Sequence, residues 1–215
     1  MSDGAAVDTA EQDGRRGDLR DLLFRWRGWG VIAIGAGVLT WRAIAAWPPW
    51  PRVEYALAAL PLVAFGVFFR VWARCYFTRG SDTRRIQAHR LVIYGPYRRV
   101  RNPLYVGNVA IAAGVALAFC DPWAGGALLL ALLLFYSGVI ASEEALLERT
   151  WGASYVEFKR RVPRWLPRIV PLPADPQAPE PAVGHALRKE SQRIAGAFAA
   201  WAAALAIAWW HSRGA

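Results

Sequence analysis

Residues 104–141 read LYVGNVAIAAGVALAFC, then DP, then WAGGALLLALLLFYSGVIA. Neither apolar stretch contains a charged residue, and a helix needs about 20 mostly apolar residues to cross the hydrocarbon core of a bilayer. The dipeptide Asp121-Pro122 separates the two stretches and favours a tight turn. The pattern therefore predicts two membrane-spanning helices, Leu104–Cys120 and Trp123–Ala141, joined as a hairpin.

Three more apolar stretches are candidate spans: Trp29–Trp47, Val53–Phe77 and Ile194–Trp210. The last of them is at the short end of the spanning range. Five candidate spans in 215 residues of 55% hydrophobic content predict an all-α, polytopic membrane helical bundle. Within the second span, Arg74 is close to the end and is expected to snorkel, whereas Arg70 is deeper and is expected to face the bundle interior.

The segments that flank the spans alternate in positive charge. From the N-terminus onward they contain 5, 1, 7, 0, 9 and 1 Lys and Arg residues. Short loops rich in Lys and Arg are retained in the cytoplasm, so the alternation predicts a cytoplasmic N-terminus and an external C-terminus. The net charge of +10 is thereby assigned to the cytoplasmic face, where it can meet anionic membrane lipids or an anionic cofactor. A nucleic-acid partner is not expected.

Composition divides the chain into four segments. We expect 1–28 to be a disordered, basic cytoplasmic segment, 29–168 the membrane core, 169–190 a Pro-rich linker and 191–215 a transmembrane C-terminal helix. No signal peptide is expected, because residues 1–18 are polar and acidic. The two cysteines are too few and too far apart for a disulfide framework or a zinc site, so no metal is expected.

Two segments on the predicted cytoplasmic side contain more polar and aromatic residues than a turn requires. The first, residues 89–107, passes through a Gly95-Pro96 turn and enters the third span, with Asn102 as the expected helix cap. The second, residues 143–167, begins with two glutamates directly after the fourth span. A carboxylate near the bilayer needs a cationic partner, and the Arg residues of the two segments can supply it.

The two segments share an ordered set of motifs with a known family. The motifs are His89-x-Leu91, Gly95-x-Tyr97, Arg101-x-Pro103-x-Tyr105-x-Gly107, Glu143-Glu144, Gly152-x-x-Tyr155 and Arg161-Val162-Pro163. In this order and spacing they resemble the isoprenylcysteine carboxyl methyltransferases, over roughly residues 66 to 168. Two positions depart from the family pattern, because Asn102 stands where the central motif has His and Phe158 where a second Tyr is usual.

The resemblance implies an integral membrane enzyme that transfers a methyl group from S-adenosylmethionine to a lipophilic acceptor, either a small molecule or a lipidated substrate. It implies a cytoplasmic cofactor pocket between helix ends, lined by His89, Leu91, Gly95, Tyr97, Asn102, Tyr105 and Glu144. The family uses no Rossmann domain, and this chain has no Gly-x-Gly-x-x-Gly motif after a strand.

Methyl transfer is an in-line displacement, so the resemblance calls for positioning groups and not for a protein nucleophile. For a carboxylate acceptor, Arg101 is the first candidate to orient the anion and Arg164 is the second. For an amine or thiol acceptor, Glu143 is the candidate base. The acceptor stays open among isoprenylcysteine-type carboxylates, phospholipid amines and small thiols, and the oligomeric state stays open as well.

Two functions from other classes also stay open. A nicotinamide-dependent membrane sterol reductase has a similar layout, but Leu104 stands where its motif has Asn. A non-catalytic membrane protein could keep the same fold, with Asn102 marking a lost cofactor site. Whether the last helix spans the membrane or lies on it is open too.

Overall fold

The computed structural model describes residues 52–76, 91–176 and 178–214, with four separate helical positions (33, 36, 37 and 40) in the first predicted span. The described helices are α1 (Val53–Arg74), α2 (Pro103–Phe119), α3 (Pro122–Trp151), α4 (Ala153–Arg161) and α5 (Val183–Gly214), with a 3₁₀ turn at Gly95–Arg98. These ranges contain no β-strand. The prediction of an all-α fold is confirmed.

Three of the described helices, α1, α3 and α5, are long and apolar enough to cross a membrane. Helix α2 is also apolar, but its 17 residues rise only about 26 Å, less than the hydrocarbon thickness of about 30 Å. The prediction of a membrane helical bundle is confirmed. The N-terminal segment 1–28 and, apart from the four positions, the span Trp29–Trp47 lie outside the described residues, and the orientation across the membrane stays a prediction.

Helix α3 is longer than the predicted span Trp123–Ala141. At its start, Asp121 Oδ1 accepts hydrogen bonds of 3.0 Å from two backbone N–H groups of the first turn, so the hairpin turn is a capped helix start. The helix ends at Trp151, where Gly152 has a φ of 52° that favours glycine. The glutamate pair therefore lies inside a helix and not in a loop that follows it.

Helix α5 is longer than expected as well. It begins at Val183, inside the segment 169–190 predicted as a linker, because the run after Pro181 contains no further proline. Directly before it, the Ala182 N–H donates a 2.9 Å hydrogen bond to the Cys75 carbonyl. The start of α5 is thus attached to the end of α1.

Helices α1 and α2 pack antiparallel with their backbones in close approach. A Cβ atom on Gly66 would lie 2.7 Å from the Gly107 carbonyl oxygen and 2.8 Å from the Ile111 nitrogen. At the other end of the contact, a Cβ atom on Gly114 would lie 2.6 Å from Val63 Cγ2. Glycines permit this approach in membrane helices, so the family-motif residue Gly107 has a packing role here.

Helix α5 also packs antiparallel to α1. At one end of the contact, the Trp201 indole N–H donates a 2.7 Å hydrogen bond to the Ala56 carbonyl, and Ala204 shares a buried cluster with Ala59. At the other end, Glu190 contacts Arg70. The residues carboxy-terminal to the matched family motifs are therefore an integral part of the described bundle.

The helix directions bring four helix ends together. Because α2 and α5 both run antiparallel to α1, and α3 returns from α2 through the hairpin turn, the carboxy-terminal parts of α1 and α3 lie at the same end of the bundle as the first turns of α2 and α5. The segments 91–102 and 162–172 attach to the same end, which we call the polar end. The described polar motif residues are concentrated there.

Replacing Gly66 by Ala is expected to destabilise the protein by about 1–3 kcal/mol, the usual cost of over-packing, because the new methyl group would meet backbone atoms of α2. Gly126→Ala in α3 is the matched control, since a Cβ atom there has nothing within 4 Å. Thermal unfolding of the detergent-purified variants, followed by circular dichroism, measures both effects. Equal stability of the two variants would contradict the close α1–α2 contact.

Candidate active site

Two segments outside the α-helices cross the polar end side by side. The backbone N–H groups of Arg101, Arg168 and Leu172 donate to the carbonyls of Pro163, Arg99 and Arg98, at 2.9, 2.9 and 3.0 Å respectively. The pairs run in opposite chain directions, so residues 98–101 lie antiparallel to residues 163–172. This pairing brings the two motif segments into contact although about 60 residues separate them in the sequence.

Glu144 is the centre of the site and is only 2% exposed. Arg101 Nε lies 3.1 Å from its Oε1, and Arg164 Nη2 donates to its Oε2 at 2.6 Å. A buried carboxylate is costly unless it is paired, and here two guanidinium groups share one carboxylate. The cluster consequently carries an excess positive charge of one.

Further bonds fix the two guanidinium-bearing segments. Arg101 Nη1 donates to the Lys159 carbonyl at the end of α4 at 2.9 Å, which leaves the Arg101 side chain 10% exposed. Asn102 is the N-cap residue of α2, but its side chain makes no capping hydrogen bond; Nδ2 donates to the Arg164 carbonyl at 3.4 Å instead. The prediction of a side-chain cap is wrong, because the neighbouring segment supplies an acceptor at this position.

The neighbouring Glu143 points to a different partner. Its Oε1 accepts a 2.7 Å hydrogen bond from the Tyr105 hydroxyl, and the Tyr105 ring lies 5.1 Å, centroid to centroid, from the Tyr136 ring. Consecutive helix residues project about 100° apart, so the two glutamates face different sides of α3. One contacts the arginine cluster and the other contacts the aromatic residues between α2 and α3.

Two buried tyrosines of the motifs are neutral phenols. Burial raises the pKa of Tyr97, and it raises the pKa of Tyr155 with a further contribution from the negative charge of Glu144. Both hydroxyls therefore stay protonated well above neutral pH. They offer a proton to a hydrogen-bond acceptor without adding charge to the site.

The other residues predicted to line the cofactor pocket make packing or turn contacts where the structure describes them. Leu91 packs against the buried cluster that Tyr155 and Phe158 of α4 form with Val162, and the Phe158 ring needs no polar partner there. Gly95 has a φ of 55°, and a Cβ atom there would lie 2.1 Å from the Tyr76 ring. His89 lies outside the described residues, so its predicted contact with a cofactor stays a prediction.

The comparisons with known proteins concern this same region. The phospholipid methyltransferase family model matches residues 55–154. The protein-S-isoprenylcysteine O-methyltransferase of Homo sapiens is 31% identical over 60% of this chain and 47% of its own length. The protein-S-isoprenylcysteine O-methyltransferase B of Arabidopsis thaliana is 33% identical over 43% of this chain and 47% of its own length.

The chain is related to the isoprenylcysteine carboxyl methyltransferases. The resemblance carried by the motifs is thereby confirmed, and the three long apolar helices with these relatives identify an integral membrane protein. The chain spans about half the length of these curated relatives. A nickel-cobalt-cadmium resistance protein, NccN, of Alcaligenes xylosoxydans xylosoxydans is 28% identical over 65% of this chain and 64% of its own length. No solved structure matches the chain.

The sequence predicted the arginines and glutamates that meet at the polar end but gave no sign of a second polar cluster. Arg70 is 5% exposed, as its predicted interior position requires, and pairs with Glu190 of α5. Arg74 does not snorkel to solvent as predicted, because its Nε also lies 3.0 Å from a Glu190 oxygen. A buried arginine in a predicted span requires an acidic partner, but nothing in the sequence indicates which residue that partner is.

The Gly95→Ala variant is expected to lose more stability than Gly152→Ala. Both glycines have a positive φ, so alanine is strained at either position, but only the methyl group at Gly95 would overlap the Tyr76 ring. Apparent melting temperatures of the two purified variants measure the difference. If Gly95→Ala is no worse than its control, the contact between the turn and the end of α1 is wrong.

Proposed function

We propose that this protein transfers a methyl group from S-adenosylmethionine to a lipophilic acceptor at the membrane. The observation that carries the proposal is the buried Glu144, held by Arg101 and Arg164 beside the Glu143–Tyr105 pair at the polar end of an apolar bundle. The relationship to methyltransferases supports the same reaction. The cofactor, the acceptor and the roles of individual residues belong to the proposal.

The donor set at the polar end suits the cofactor. The amino-acid part of S-adenosylmethionine carries one ammonium and one carboxylate group, and its sulfonium supplies an activated methyl group. Glu144 would hold the ammonium group, while the excess positive charge of the arginine pair would hold the carboxylate. A zwitterion therefore matches a site that has one carboxylate and two guanidinium groups.

The neighbouring aromatic residues suit a cationic centre. Tyr97 is buried and neutral, and Tyr105 lies at the start of α2 beside Glu143. Aromatic rings attract a sulfonium through the negative faces of their π-systems, without an opposite charge that would make the methyl group less reactive. The apolar helices around this end exclude water from the reacting groups.

For the acceptor, we first propose a carboxylate of the isoprenylcysteine type. Such a group attacks as an anion and needs a cation to orient it. Arg101 is 10% exposed and is engaged on Glu144 and on a carbonyl, whereas the Arg164 side chain is 37% exposed. This difference favours Arg164 as the group that meets an incoming acceptor and Arg101 as the group that holds Glu144.

A phospholipid amine or a thiol is the second candidate acceptor. The matched family model is that of the phospholipid methyltransferases, and Glu143 is held at 2.7 Å by the Tyr105 hydroxyl, apart from the arginine cluster. A carboxylate held in place at this position can accept the proton that such an acceptor loses. Glu143 is therefore the residue whose role distinguishes the two acceptor classes.

Calorimetric titration with S-adenosylmethionine tests the cofactor. We expect the wild-type protein to bind it with a dissociation constant of about 1 µM to 1 mM, the range of ordinary enzyme substrates. The Glu144→Ala variant is expected to lose this binding, because the ammonium group loses its counter-charge and the two arginines lose their shared partner. The control is Glu157→Ala, which removes an exposed glutamate of α4 that pairs with Arg161 on the same helix.

The outcomes separate the open functions. Binding by the wild type and by Glu157→Ala, but not by a folded Glu144→Ala, supports the methyltransferase proposal. Equal binding by all three proteins rejects the role of Glu144. A folded wild type that binds a nicotinamide cofactor instead supports the reductase, and one that binds neither cofactor supports a non-catalytic protein.

The Glu143→Gln variant is expected to separate the acceptor classes. If an amine or thiol is the acceptor, loss of the base lowers kcat by about 10²- to 10⁴-fold. If a carboxylate is the acceptor, no proton has to be removed and the loss is much smaller. Transfer of radiolabelled methyl groups to a prenylcysteine, a phosphatidylethanolamine and an alkyl thiol measures this, and a large loss with the prenylcysteine would contradict the assignment of Glu143 as a base only.

A further inference from the structure

Glu190 is the most deeply buried charged group of α5, at 1% exposure. Its Oε2 accepts hydrogen bonds from Arg70 Nη2 at 2.7 Å and from Arg70 Nε at 2.9 Å, and its Oε1 accepts one from Arg74 Nε at 3.0 Å. It lies outside residues 55–154, which the family model matches. The residue thus ties α5 to the last turns of α1 by charge and by hydrogen bonds.

Arg70 extends this contact to α2. Its third guanidinium nitrogen, Nη1, donates to Asn108 Oδ1 and, at 3.4 Å, to the Leu104 carbonyl. Gly107 makes the approach possible, since a Cβ atom there would lie 2.5 Å from Arg70 Cγ. The guanidinium therefore joins α5 and α1 to the first two turns of α2.

From Asn108 the contacts continue to the candidate active site. The Asn108 side chain lies within hydrogen-bonding range of Tyr136 of α3. The Tyr136 ring packs 5.1 Å, centroid to centroid, from the ring of Tyr105. The Tyr105 hydroxyl in turn donates to Glu143. A continuous series of contacts therefore connects the Glu190 carboxylate of α5 with the Glu143 carboxylate of α3.

We propose that Glu190 is a positioning residue for methyl transfer, which acts through Arg70, Asn108 and Tyr136 on the Tyr105–Glu143 pair. The inference rests on the proposed function. It assigns the helix beyond the matched family region a part in the reaction, not only in anchoring the chain.

Charge explains why the effect reaches Glu143. Tyr97 experiences the charges of Arg70, Arg74 and Glu143, so the second cluster and the glutamate pair act electrostatically on the same buried side chain. Glu190 is the carboxylate that pairs with both arginines, and Arg193 Nη1 also lies 3.7 Å from its Oε1. When its charge is removed, the buried Arg70 has lost its counter-ion and attracts Glu143 away from the Tyr105 hydroxyl, because charges in the interior are weakly screened.

The test compares Glu190→Gln with two other variants. Glu190→Gln keeps the side-chain shape and removes the charge, and Asn108→Ala cuts the contact between Arg70 and Tyr136 while leaving the ion pair with Glu190. Trp201→Phe is the structural control, because it removes the other hydrogen bond between α5 and α1, to the Ala56 carbonyl, far from the polar end. All three are compared with the wild-type chain in detergent.

Two readouts are measured. For Glu190→Gln and Asn108→Ala we expect kcat to fall by about tenfold or more while the dissociation constant of S-adenosylmethionine changes little, the pattern of a lost transition-state contact. In spectra of protein with ¹³C-labelled tyrosine ring carbons, the Tyr105 resonance, assigned with Tyr105→Phe, is expected to shift in both variants. Trp201→Phe is expected to lower the melting temperature and to change neither readout.

The outcomes are decisive in both directions. An unshifted Tyr105 resonance and a wild-type kcat in a folded Glu190→Gln or Asn108→Ala protein would overturn the proposal. If Trp201→Phe lowers kcat and shifts the Tyr105 resonance equally, Glu190 contributes only to stability, and the proposal is overturned. If Glu190→Gln does not fold, Asn108→Ala still decides. A wild type that transfers no methyl group rejects the proposed function instead, and the tyrosine resonance then tests the connection by itself.

Discussion

The arrangement of the polar end depends on the burial of the Glu144 carboxylate in an otherwise apolar bundle. A charge in such surroundings is stable only with good partners, and Arg101 and Arg164 provide them from segments before α2 and after α4. The requirement to pair this one group brings three parts of the chain together. The two segments that carry the arginines are held together by backbone hydrogen bonds across the same end.

Glu143 and Glu144 lie in two different environments, because both belong to α3 and consecutive helix residues project in different directions. Glu144 faces the arginine cluster, and Glu143 faces Tyr105 and the aromatic contact between α2 and α3. This separation suits a transfer reaction, since a polar cofactor and a lipophilic acceptor need different surroundings. The arginine cluster suits the proposed zwitterionic cofactor and, through the more exposed Arg164, a carboxylate acceptor, whereas Glu143 suits an amine or thiol acceptor.

Helix α5 adds to the part of the bundle that carries the motifs, and it packs on that part through small residues as well. Glycines of α1 and α2 bring their backbones together, and alanines with one tryptophan hydrogen bond fit α5 against α1. At the polar end the same helix brings the Glu190 carboxylate to two arginines near the end of α1. The helix is therefore joined to the core by apolar packing at one end and by ion pairs at the other.

The sequence by itself determined that the described apolar stretches are helices, where the hairpin turn at Asp121 lies and that Arg70 is interior, because apolar length, turn residues and buried charge are properties of short segments. The tertiary structure decided the partners. Glu190 lies 120 residues from Arg70, and Asn102 bonds to a carbonyl 62 residues away in place of its own helix. Such contacts depend on how helices pack, and no local pattern encodes which distant residue will meet a buried charge.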